Sequence, residues 1–168
     1  SGCAFPVRGH VPGGATHATK HGTNVSAADV RTISCTGNAR MATTNNIPAP
    51  PDVLLAQYSI PFSVALSLYR NPIDPDSFDD TVHRDAQILG MAARVKMLTA
   101  PGQSREDLTS VVAVTLKDGR TFTRRVTELS CTPARPLDPA GFQGKFLMLT
   151  NSFPISAHHR LFDRPPNW

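Results

Sequence analysis

The chain has 168 residues, 40% of them hydrophobic and 18% charged, with 17 Lys and Arg against 13 Asp and Glu for a net charge of +4. That length suits one domain with a core of its own. No apolar run approaches the ~20 residues of a membrane-spanning helix. The basic residues are scattered, without runs or interleaved aromatics, which argues against nucleic-acid binding. The three cysteines, Cys3, Cys35 and Cys131, form no C-x-x-C pair. An odd count without that spacing points away from a disulfide scaffold or a zinc site and toward a reducing, cytoplasmic setting.

In chain order, residues 1–14 are irregular, and a helix is expected over 14–21, closed by Gly22. Ser26 to Asp29 reads as a turn into a strand over Val30–Cys35, where apolar and polar residues alternate. Residues 37–51 lack periodicity and read as a long loop. Ser59 suits a helix cap, and Pro61 sits where a missing N–H costs nothing. Phe62, Ala65, Leu66 and Tyr69 then make one apolar stripe of a helix ending near Arg70 to Pro72. A turn over residues 74–80 leads to a helix capped by Asp85, with Ile88, Leu89, Met91, Ala92 and Val95 as its apolar positions.

The spacing next predicts strands over Val95–Thr99, Val111–Leu116 and Thr121–Val126. Asp118-Gly119 joins the last two as a hairpin with positive φ at both central residues. A final helix is expected from about Pro139 to Leu149, followed by a tail over 151–168. Strands without regular alternation with helices imply an α+β fold. The expected form is a two-layer sandwich, mainly an antiparallel sheet with helices packed on one face.

Residues 56–70, AQYSIPFSVALSLYR, resemble the segment that opens the main helix of the smaller, C-terminal domain in the MmgE/PrpD family. Asp79 to Met97 is similar to that family's helix leading into its sheet. Val112 to Arg120 is similar to its hairpin, Pro136 to Phe146 to the end of its domain, and Phe5 to His10 to its entry segment. The family includes 2-methylcitrate dehydratases, cis-aconitate decarboxylases and iminodisuccinate epimerases.

The resemblance implies a smaller domain over residues 1–150, with the large helical N-terminal domain of the family absent. It implies a lyase or isomerase reaction on a small polycarboxylate, begun by proton abstraction next to a carboxylate. No metal or organic cofactor is required, since proton transfer and electrostatic clamping carry such chemistry. The missing domain would supply most of the acids and bases, so the chain alone is expected to be inactive. An uncovered partner face would also favour a homo-oligomer. The alternative is a non-catalytic binding or assembly module, or a split subunit needing a helical partner. It is favoured by Cys3, which stands where family enzymes commonly carry a lysine.

The resemblance makes His10 the candidate catalytic residue, since it follows the Phe-Pro pair at the spacing of dehydratase-like members. An imidazole there would bond a substrate carboxylate or move a proton near neutral pH. Arg8 and Arg40 are the candidate substrate-binding residues, because a guanidinium can clamp a carboxylate in two places. Tyr58 and Ser59 are explained as a buried ring and a helix cap. His17 and His21 have the i, i+4 spacing of a metal face but no accompanying acid, and no metal is expected. His158 and His159, being adjacent, point apart. His83 lies among Asp79, Asp80 and Asp85, whose carboxylates would favour its protonated form. Lys145 reads as an ordinary surface lysine. No dinucleotide fingerprint, phosphate loop or nucleophile elbow is present, so nucleotide cofactors and nucleophilic catalysis are not indicated.

Overall fold

The computed structural model describes residues 25–72, 74–127 and 139–149. They fall in two compact units that divide after Leu129. In the first, Ser26 accepts the N–H of Ala28 and caps a 3-10 turn over Ala27–Asp29. The chain then enters β1 (Val30–Gly37). Here Val30, Ile33, Cys35 and Gly37 are buried, and Thr32, Ser34 and Thr36 are half-buried. That alternation marks a strand with one face on the core.

β1 is an interior strand of a four-stranded sheet ordered β2-β1-β3-β4. It runs parallel to β2 (Val95–Thr99) and antiparallel to β3 (Ser110–Leu116), which pairs antiparallel with β4 (Thr121–Val126). The sheet is thus mixed, with two antiparallel pairs to one parallel pair. Ile33 lies between Val95 and Val114, Cys35 between Met97 and Val112, and Phe122 opposite Val114. One face is therefore apolar except for Arg124, opposite Val112 on the outer strand. The other carries Thr32, Ser34, Thr36, Lys96, Thr121 and Thr123.

Among the described residues this unit also has four short α-helices: α1 (Ala39–Thr43), α2 (Val53–Tyr58), α3 (Ile60–Leu66) and α4 (Ala86–Ala92). α3 is packed against α4 and β2, and α1 against β1 and β2. Phe62, Ala65, Leu66, Ile88 and Ala92 have no exposed surface and join Ile33, Cys35, Val95 and Leu116 in one core. The fold is α+β, with helices layered on the apolar face of the sheet, as the sequence led one to expect.

The differences are local. α1 lies inside the stretch expected to be loop, nucleated by its Asn38 cap. α2 was not expected: Asp52 accepts the N–H of Leu55 at 2.7 Å and starts a separate helix before Ser59. Ser59 then ends α2 and begins α3. Its Oγ accepts the N–H of Phe62 at 3.0 Å and donates to the carbonyl of Ile47 at 2.6 Å. The β3–β4 hairpin also has a different turn. Gly119 donates to the carbonyl of Leu116 at 3.1 Å and takes φ +89°. This is a three-residue loop with one left-handed glycine rather than a two-residue loop with two such positions.

Cys35 is a free, buried thiol, and burial pushes its pKa up to about 11 from an ordinary 9.0. The unfolded chain ionises this thiol first. The site therefore stabilises the fold relative to the unfolded chain below about pH 9, and that advantage is lost as pH rises toward 11. At pH 8, Cys35 in the folded chain is expected to resist alkylation, read at its own peptide by mass spectrometry. Labelling as fast as in denatured chain would show that β1 is not packed as described.

α5 (Pro139–Leu149) lies in the second unit and matches the helix expected there. Among the described residues no helix is long and apolar enough to cross a membrane.

Candidate functional site

Because β1 and β2 are parallel and in register, Gly37 and Thr99 lie side by side at their carboxyl ends. β3 starts at the same end, with Val111 opposite Thr36. Two segments therefore leave the sheet together: Asn38 with α1, and the connection over 100–109. Ala100 donates its N–H to the carbonyl of Gly37 at 2.7 Å and holds the two exits in contact. The carboxyl ends of parallel strands are where α/β sheets commonly place ligands.

Asn38 fastens this end together and is only 1% exposed. Its Oδ1 accepts the N–H of Met41 at 3.0 Å and caps α1. Its Nδ2 donates to the carbonyls of Arg105 and Asp107, both at 3.0 Å. Gly37 allows Met41 to fold over it, since a Cβ there would sit 2.6 Å from the Met41 sulfur. The connection is braced again by Gln103, whose Nε2 donates to the carbonyls of Asp107 at 2.9 Å and Thr109 at 2.7 Å. Asp107 accepts the N–H of Thr109 at 2.8 Å. That bond, aided by Gln103 and the charge of Arg125, holds its carboxyl below the usual range.

Arg40 is the one sequence-predicted site residue among the described residues. It lies on α1, two residues after Asn38, with its side chain exposed. It makes no ion pair or side-chain hydrogen bond among the described residues. Arg70 is instead bound to Asp79, and Arg120 to Asp118, each at 2.7 Å. An exposed, uncommitted guanidinium on a braced backbone can accept an incoming carboxylate without first giving up an internal partner. Arg8 and His10 lie outside the described residues, as do Cys3, His17, His21, Cys131, His158 and His159 and the side chain of Lys145.

One reading of a side chain is corrected. The ring of Tyr58 is 59% exposed, and Leu54, one turn earlier on the same face of α2, is 60% exposed. α2 spends its buried side on Ala56, which turns Tyr58 outward. The backbone beneath it is fixed, because Asn45 donates to the Tyr58 carbonyl at 3.0 Å and accepts the N–H of Ile60 at 2.9 Å. Tyr58 thus joins Arg40 as an exposed functional group on a held backbone, and its place in the AQYSIPF segment was the available signal.

His83, for its part, is buried at 9% exposure, and its Nε2 accepts from Arg84 Nε at 3.1 Å. The neighbouring carboxylates have other work: Asp79 binds Arg70 and Thr81, and Asp85 caps α4. Among the described residues no group of three His, Cys, Asp or Glu side chains is arranged to hold a metal ion.

A mixed sheet under short capped helices, with Arg40 on the helix just beyond the end of β1, makes an α+β sandwich domain. The chain belongs to the MmgE/PrpD family, since the model of the MmgE/PrpD C-terminal domain matches residues 14–162. No curated protein matches the chain.

Proposed function

We propose that this domain forms one wall of a lyase or isomerase site for a small polycarboxylate, of the 2-methylcitrate dehydratase type. The observation that carries the proposal is the family match over residues 14–162. The exposed guanidinium of Arg40, which has no ion-pair partner among the described residues, supports it. In this reading Arg40 and Arg8 bind substrate carboxylates, and His10 bonds a carboxylate or moves a proton. A carboxylate held by guanidinium groups draws off the charge that develops when the adjacent C–H loses its proton. Tyr58 adds a phenol able to donate or accept a hydrogen bond at the same wall. The acids and bases of the opposite wall come from a helical partner domain, and the chain alone is inactive. The reaction belongs in the cytoplasm, in keeping with an odd number of cysteines and no C-x-x-C pair among them.

The test is reconstitution of the full chain with a helical partner polypeptide, assayed on 2-methylcitrate, cis-aconitate and iminodisuccinate. Turnover of one of them is expected only in the mixture. Arg40→Gln should then raise KM on the order of tenfold or more, because a charge-assisted hydrogen bond contributes about 1.5–3 kcal/mol. Turnover by the chain alone would overturn the division of labour. No turnover in any mixture would favour the second reading, a binding or assembly module, which Cys3 in place of a lysine already supports.

A further inference from the structure

Asn38 joins two segments that each carry an exposed arginine. Arg40 follows it by two residues on α1, and the main-chain carbonyl of Arg105 accepts its Nδ2 at 3.0 Å. Both arginine side chains are exposed, and neither makes an ion pair or side-chain hydrogen bond among the described residues. The Asn38 amide accepts the N–H of Met41, next to Arg40, and donates to the carbonyl of Arg105, so the segments that carry the two arginines meet at one buried side chain at this end of the sheet. The carboxylate of Asp107 is engaged by the Thr109 N–H, with Arg125 as its charge neighbour. Glu106, exposed on the same connection, is the opposing charge beside the pair.

We propose that Arg105 is a second carboxylate-binding residue, which with Arg40 lets this domain hold two carboxylate groups of one polycarboxylate. The proposal rests on the carboxylate reading of Arg40 and names what would select among substrates. The backbone beneath both forks is already ordered, so binding has only the two side chains left to fix. They reward a ligand carrying two or more carboxylates over a ligand carrying one. Glu106 repels an anion at the same place, so the selection is for ligands that engage both arginines at once.

The test titrates the full chain with tricarballylate, and with propionate as a single-carboxylate probe, following arginine Nε–H signals by NMR at low salt. Arg40→Gln and Arg105→Gln are each expected to weaken tricarballylate about tenfold. Arg105→Gln should leave propionate binding at Arg40 unchanged. Glu106→Gln should tighten tricarballylate binding. Arg31→Gln, at the far end of β1, should change neither. Asn38 grips the main chain of residue 105, so Arg105→Gln keeps that anchor, and an unchanged circular dichroism spectrum would verify the fold. Wild-type affinity in Arg105→Gln, with weakened binding in Arg40→Gln, would overturn the second arginine and leave the reading of Arg40 standing. No binding by the unaltered chain, or equal weakening by Arg31→Gln, would overturn both.

Discussion

Phe62→Ala is expected to lower the stability of the domain by about 3–5 kcal/mol, the range for emptying a fully enclosed phenylalanine site. Phe62 has no exposed surface, and it sits on the helix that is packed against both α4 and β2. The hole left by the ring would be lined by several elements at once and would not collapse around a single moving side chain. Since small domains are stable by about 5–15 kcal/mol in total, that loss is a large part of the whole. Urea denaturation of the full chain should show the midpoint falling with the slope unchanged. Leu54→Ala, removing a side chain that is 60% exposed, should move the midpoint little. If the two variants behaved alike, α3 would not be the helix that closes the core.

Asn38→Ala is expected to cost about 2–4 kcal/mol, combining a lost helix cap with the orphaning of a buried donor. The Met41 N–H would lose its acceptor, and the carbonyls of Arg105 and Asp107 would lose their shared donor. Asn38→Asp separates these contributions. It keeps the acceptor for Met41 but sets a carboxylate against two carbonyl oxygens, so it should destabilise at least as much. Hydrogen exchange would locate the damage: amides of 39–43 and 103–109 should quicken together, while those of β1 and β3 stay slow. Quickening of 39–43 alone would mean that the amide bridge contributes nothing to the connection after β2.

The legible parts of the fold were those whose signals are short-range. Asp85 capping α4, the hairpin around Gly119 and the alternation of β1 all depend on residues within a few positions of one another. α2 escaped notice because its apolar residues mislead. Leu54 and Tyr58 face outward, and its buried side is the small Ala56. α1 is too short to show a period and is held by a cap and by the burial of Met41. The parallel pairing of β1 with β2 has no local mark either, since it forms across all the helices that lie between the two strands. The candidate site followed the same rule. Arg40 was visible as a cation in a loop, whereas the bond from Asn38, two residues before it, to residue 105 spans 67 positions and exists only after folding.

Asn38 recognises its neighbours through their carbonyl oxygens and asks nothing of their side chains. Every residue type except proline presents the same backbone, and even proline keeps the carbonyl. Residue 105 is therefore free to change identity while the connection keeps its path, whereas Asp107 is also held by its own carboxylate, which accepts the Thr109 N–H. The course of the connection and the side chain presented at position 105 are thus separable, and one can be altered while the other stays.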